Sequence, residues 1–248
     1  MAELDRGGWK LRYELTGDGP ELVVLTHGFG ATAETWRGQV SALSPHYRVL
    51  TWDLRAHGVS GSPDEPITLH TLAGDLAAVV QAAGGGPAHA LGHSAGGVIT
   101  MRFALDHPQL VRSLVLVGTA SECNARAHAW YESLAIAAET QGSQALLKKL
   151  GSRDVADAPP EPHGFARIAR AMGGLHTTPL TSELERVRCP TLVVVGENDF
   201  LGVGGSVIIS RRIAGSRLEI VPERGHALFH EDPEGFNAVL LAFLRSVG

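Results

Sequence analysis

Ser94 stands in the run ALGHSAGG, residues 90–97, with glycine two places before it and only alanine and glycine for three places after it. A serine hydroxyl is a weak nucleophile until a neighbouring base takes its proton and a third group holds that base in the reactive tautomer. Histidine and aspartate suit those two roles, and the chain supplies both further on: Asp199 in GENDF and His226 in RGHALFHEDPEGF. An attacked carbonyl also needs N–H donors for its developing negative oxygen. The segment THGFG, residues 26–30, offers the backbone N–H of Phe29, and Ala95 offers another directly after the serine. The glycines around Ser94 would also suit an ordinary turn, so the elements on either side have to decide between punctuation and reagent.

Those elements are legible as period and punctuation. LVVLT (22–26), RVLTW (48–52), LVLV (114–117) and TLVVV (191–195) are short β-branched runs of the kind buried on both faces of a sheet. Residues 9–15 alternate as an edge strand would, and residues 218–221 make a further strand. Between them, Leu69, Leu72, Ala73, Leu76, Val79 and Val80 form a helical stripe stopped by Gly84-Gly85-Gly86. Helices are also expected over 95–107, 206–214 and the stretch from Phe236 to Val247, with Trp36, Val40 and Leu43 at helical spacing. The alternation predicts an α/β fold: a mostly parallel central sheet with helices on both faces. Ser94 then sits in G-x-S-x-G between a strand and a helix, where a sharp, strained turn lifts the hydroxyl above the carboxyl ends of the strands. Asp199 and His226 each follow a strand in the same way.

The rhythm breaks between Thr119 and Leu184. Helices are expected over 126–139, 143–150 and 165–172, with a loop at APPEP (158–162) and no strand. This divides the chain into a core of 1–119 and 184–248 and a helical cap of 120–183. Trp130, Tyr131, Leu134, Phe165 and Met172 are candidates to line a pocket beneath the cap, and each is equally placed to be the cap's own core.

The motifs HGFG, DLRAHGVSGSP, GHSAGG, PTLVVVGENDF and GHALFHEDPEGF together resemble the α/β-hydrolase superfamily over nearly the whole chain. Within it the chain is similar to small bacterial carboxylesterases and to the 3-oxoadipate enol-lactonase group. The resemblance implies a catalytic triad of Ser94, Asp199 and His226, an oxyanion hole of Phe29 and Ala95, and no cofactor. Members that hydrolyse haloalkanes or epoxides carry aspartate where this chain has Ser94. Some members place the acid one strand earlier, which makes Glu122 the rival of Asp199, while Glu197 is expected to face solvent or the loop backbone. The same triad serves C–C bond hydrolases of the meta-cleavage type and a lyase of menaquinone synthesis, and the fold also serves as a small-molecule receptor.

Four other histidines need an account. His27 is expected to orient the oxyanion loop, His57 to fix its own loop, and His93 to point away from the cleft into packing or a hydrogen bond. His230 lies four residues beyond His226, a metal-ligand spacing, but no third ligand is evident and no metal is expected. An anionic substrate such as an enol-lactone acid would call for an arginine in the pocket, and Arg126, Arg167 and Arg170 are the cap's candidates. The chain has 44% apolar and 19% charged residues and a net charge of −5 without a basic run, so neither nucleic acid nor an anionic membrane surface is an expected partner. No stretch approaches 18 apolar residues, and the polar start MAELDRGGWK lacks a signal peptide's apolar run, so a cytoplasmic location is expected. Cys123 and Cys189 are read as reduced structural thiols. The expected partner is a small-molecule ester or lactone.

Overall fold

Period two in the central strands sends alternate side chains to two separate cores. In β3 (Leu22–Thr26), Leu22 and Val24 join one cluster while Val23 and Leu25 join the other. The computed structural model describes residues 2–144, 146 and 161–248. Its other strands are β1 (Ala2–Asp5), β2 (Lys10–Thr16), β4 (Arg48–Trp52), β5 (Ala88–His93), β6 (Val111–Val117), β7 (Thr191–Gly196) and β8 (Arg217–Val221). They form one sheet in the order β1-β2-β4-β3-β5-β6-β7-β8, antiparallel at the β1-β2-β4 end and parallel from β4 onward.

The order places the site. From β3 the chain crosses to β4 on one side and returns to β5 on the other, so β3 and β5 are neighbours at the switch point where ligands bind in such sheets. Thr26 is in register with Gly92, His93 with Val117, and Gly196 with Val221. The loops after β3, β5, β6, β7 and β8 therefore leave along one edge.

Helices α1 (Arg37–Leu43), α2 (Leu69–Ala82) and α3 (Ala95–Asp106) follow β3, β4 and β5. Between β6 and β7 lie α4 (Ala125–Gln141) and α5 (Pro162–Gly173); after β7 comes α6 (Gly204–Arg212), and α7 (Leu228–Glu231) and α8 (Pro233–Val247) close the chain. Helices α2 and α3 cover the first core and α1, α7 and α8 the second. A reciprocal capping box, Thr68 with Thr71, starts α2. Three glycines at positive φ, Gly84, Gly85 and Gly86, end it. Leu134, Ala135 and Ala138 of α4 pack on Phe165, Ala166 and Ala169 of α5 in a third, smaller cluster. The helix expected over 143–150 and the loop from 158 lie mostly outside the described residues.

Two expectations about the sheet are corrected. The alternating segment at 9–15 is not an edge: β2 pairs on both sides, with β1 and with β4. The edge is β1, in the stretch read as a polar terminus; its four residues AELD alternate, but over too short a run, with only Leu4 packed against the core, to stand out as a strand. The helix expected over 206–214 begins two residues earlier, at Gly204, and ends at Arg212 because Ile213 is already extended. No described helix is long and apolar enough to cross a membrane.

A buried ion pair ties the loop after β4 to α2. The Arg55 guanidinium donates to both carboxylate oxygens of Asp75 at 2.6 and 2.9 Å, with side chains 2% and 0% exposed. Arg6 adds a contact at 3.5 Å, and the Trp9 ring lies 4.8 Å from the guanidinium carbon. Removing Asp75 leaves the buried guanidinium only the half-exposed Glu65 carboxylate, 3.0 Å from its Nη1. Asp75→Ala should therefore cost about 3–5 kcal/mol of unfolding free energy in a urea titration; a loss below about 1 kcal/mol would show that water reaches Arg55.

Candidate active site

Ser94 occupies the turn between β5 and α3 with φ 53° and ψ −120°, outside the comfortable range of an L-residue. Short bonds hold it there. Its N–H donates to the Val117 carbonyl at 2.9 Å, and its own carbonyl accepts the Thr119 hydroxyl at 2.7 Å and the Gly97 N–H at 2.9 Å. The turn also needs two missing side chains. A Cβ on Gly92 would stand 2.3 Å from the Gly96 carbonyl oxygen, and one on Gly96 would stand 2.3 Å from that of Thr26. The small residues around Ser94 are thus what lets helix and strand meet. Ala95 is the first residue of α3, so its N–H has no partner inside the helix.

Asp199 lies in the turn after β7 and is buried. Its carboxylate accepts the Leu201 N–H at 2.8 Å and the His226 Nδ1–H at 2.9 and 3.0 Å. Nδ1 must carry the proton because an ionised carboxylate only accepts, which leaves Nε2 of His226 as the basic nitrogen. Gly118, the residue after the Val117 carbonyl that anchors Ser94, lies against this pair: a Cβ there would be 2.9 Å from Asp199 Oδ2 and 3.2 Å from His226 Nδ1. His93, beside the serine, donates Nε2–H to the His226 carbonyl at 3.0 Å, with the two rings 4.5 Å apart. The elbow and the His226 loop are thus joined from both sides. Glu122 takes no part in the pair; its carboxylate accepts the Thr181 hydroxyl at 2.5 Å. Glu197 accepts the Glu223 N–H at 3.1 Å, a loop-backbone role. His230 meets the Thr35 hydroxyl at 2.8 Å, and no cluster suited to a metal occurs among the described residues.

The loop after β3 is held by two neutral histidines. His27 donates Nδ1–H to the Gly28 carbonyl at 2.8 Å and accepts the Leu54 N–H on Nε2 at 3.0 Å. His57 donates Nδ1–H to the Arg55 carbonyl at 3.1 Å and accepts the Gly30 N–H on Nε2 at 3.0 Å. Burial lowers the first to a pKa of about 4 and the second to about 3. Gly28 approaches the serine closely, since a Cβ on it would be 3.3 Å from Ser94 Cβ. Phe29, next in line, stacks on Phe165 of α5 with ring centroids 4.0 Å apart.

A cavity of about 570 Å³ opens at this edge, walled by Ser94 and Val98, by Thr119 and Glu122 after β6, by α4, and by Leu201 after β7. Trp130 and Tyr131 line it; burial pushes the Tyr131 phenol up to about 12, so it stays neutral. Leu134, Phe165 and Met172 do not. Leu134 and Phe165 fill the contact between α4 and α5, and Met172 belongs to the main core. Helical spacing could not separate the two faces of these short amphipathic helices. Arg170 pairs with Glu132 and Glu139, Arg167 with Asp64, and Arg126 is exposed; none belongs to the cavity wall.

A family model described as alpha/beta hydrolase fold matches residues 21–143. The chain has the alpha/beta hydrolase fold. Its relatives include a protein named putative carbamate hydrolase RutD from Caulobacter sp. (strain K31), 29% identical over 242 residues, 90% of each chain. A hydrolase from Pseudomonas aeruginosa PA01 superposes with a TM-score of 0.86 at 28% identity, over 98% of this chain and 97% of that one. A thermophilic esterase from Thermogutta terrifontis gives 0.88 at 25% identity, over 100% and 99% of the two chains.

Several residues of this alpha/beta hydrolase site carry no sequence motif. Thr119 reaches the serine's carbonyl, and Phe200 sets its ring 4.5 Å from that of His226. Their signal is positional only: each comes just after a strand that ends at this edge. The buried histidines have a measurable consequence. A histidine whose pKa is lower in the folded chain takes its proton more readily when unfolded. Its stabilisation is complete above the ordinary value of 6.5 and is lost as pH falls toward about 4 for His27 and about 3 for His57. Unfolding free energies from urea titrations should fall from about pH 7 to about pH 5, by up to about 1.4 kcal/mol per pH unit for each such histidine. His27→Gln should flatten that slope by up to one proton, and an unchanged slope would mean that His27 is charged in the fold.

Proposed function

We propose that the protein is a serine hydrolase that cleaves a carboxylic ester or lactone through an acyl-serine intermediate. The observation that carries this reading is the Asp199–His226 hydrogen bond, 2.9 Å long, with the His226 ring 4.5 Å from that of His93, the residue that precedes a serine held at positive φ. In the proposed reaction Ser94 Oγ attacks the substrate carbonyl while His226 Nε2 takes its proton. Asp199 keeps His226 in the tautomer with Nδ1–H and stabilises the imidazolium. The N–H groups of Phe29 and Ala95 receive the oxyanion. As the tetrahedral adduct collapses, His226 returns the proton to the departing alcohol, or to the ring oxygen of a lactone. Water, deprotonated by His226, then frees the acid and restores Ser94. The 25% identity to an esterase over the whole chain supports an ester.

A carbamate is the second reading, favoured by the relatives named putative carbamate hydrolase. It too presents a carbonyl to Ser94, and a p-nitrophenyl carbamate run beside p-nitrophenyl acetate separates the two by their kcat/KM. The arginine expected for an anionic substrate such as an enol-lactone acid is absent from the described cavity wall, which favours an uncharged ester or lactone over such an acid. A receptor of the same fold would bind such compounds without steady turnover.

Ser94→Ala should abolish turnover with little loss of thermal stability, and a fluorophosphonate should label the parent protein at residue 94 and leave the variant unlabelled. Labelling of the variant at the parent rate would move the nucleophile elsewhere. Asp199→Asn should lower kcat by about 10⁴-fold, the scale of a triad histidine held in the wrong tautomer. Retention of activity within about tenfold would transfer the acid's role, with Glu122→Gln as the next variant to assay.

A further inference from the structure

The described cavity wall is one-sided in its chemistry. Its polar members beyond the elbow include Glu122, Asn124 and His176, and it contains no lysine or arginine among the described residues. Glu122 is an acceptor in its ionised form, and the Thr181 hydroxyl occupies only its Oε2. His176 spends its Nδ1–H on the Cys123 carbonyl at 3.2 Å. Asn124 spends its Oδ1 on the Ala127 N–H at the start of α4. Glu122 thus presents a carboxylate to the space a substrate would fill. Among the described residues, Arg167 and Arg170 are paired with other carboxylates and Arg126 is exposed outside the cavity wall.

We propose that Glu122 is a specificity-determining residue: the cavity selects a substrate whose non-reacting end carries an amine or hydroxyl donor and turns away one that carries a carboxylate. This rests on the hydrolase reading and deepens it by naming the class of group that the far wall accepts. An ammonium in place of a carboxylate, on the order of 6 Å from an exposed carboxylate in water-like dielectric, changes the interaction by about tenfold in equilibrium terms. Because Glu122 is exposed, the preference is screened by salt.

The test uses three p-nitrophenyl esters of equal length: hexanoate, 6-aminohexanoate and the monoester of adipate. With the parent protein at low ionic strength, kcat/KM for the ammonium ester should exceed that for the carboxylate ester by about tenfold, and the ratio should shrink in about 0.5 M salt. In Glu122→Gln the ratio should fall several-fold, and in Glu122→Arg it should invert. Near-UV circular dichroism reports whether each variant folds; the charge series on the parent protein decides the matter if one does not. A parent ratio at or below one overturns the inference, as does an unchanged ratio in a folded Glu122→Gln. If none of the three esters turns over and the fluorophosphonate leaves Ser94 unlabelled, the hydrolase reading fails and this inference with it.

Discussion

At Gly96 the first turn of α3 comes so near the end of β3 that an added methyl carbon would stand 2.3 Å from one backbone oxygen and 2.5 Å from the next. That approach is the constraint on which the site rests. It lets β5 turn into α3 within a single residue, and that residue, Ser94, is forced to positive φ. It also brings the loop after β3 against the serine. The helix N-terminus, the strained serine and the glycine loop are therefore one packing event. The strain costs something on the order of 1–3 kcal/mol and persists because the two cores on either side of the sheet hold the strands in register.

Histidine chemistry at the site divides by burial. His27, His57 and His93 are each buried and held neutral, and each has its proton located by a carbonyl that can only accept. They act as fixed pegs: a donor at one nitrogen, and in His27 and His57 an acceptor at the other. His226 differs in having a carboxylate at Nδ1 and a side chain still 17% exposed, so it alone of the four is paired to stabilise a positive charge. In the proposed reaction the one imidazole that moves protons is thus braced by three that do not.

The parts of this arrangement that were legible in the sequence are those with a backbone cause. Buried parallel strands need continuous β-branched runs, and LVVLT and TLVVV show them; a turn this tight needs glycine, and GHSAGG shows it. The order of the loops along one edge then follows from the alternation of elements, and the pairing of Asp199 with His226 follows from that order. Side-chain direction within short helices is another matter. Trp130 and Tyr131 face the cavity while Leu134, one turn on, is buried against α5, because apolar character alone does not say which of two apolar neighbours a helix turns toward. The strand β1 escaped for a related reason: an edge strand with one half-buried leucine has almost no apolar signal. Glu122 was visible only as a rival acid. Its place in the cavity wall depends on how the chain leaves β6, which no periodicity encodes.

The stacking of Phe29 on Phe165 makes the two helices between β6 and β7 unequal in what they are free to become. Helix α4 turns Trp130 and Tyr131 toward the cavity, and its outer face can drift without touching the elbow. Helix α5 lays an aromatic ring on the loop that carries an N–H next to the serine, and Gly164 at its start meets Ala56 in the loop that carries His57. A lineage that altered the far wall through α4 would keep its chemistry intact while it sampled new compounds. One that altered α5 would disturb the loop against Ser94 first. Of these two helices, α4 is thus the one through which the cavity wall is free to change.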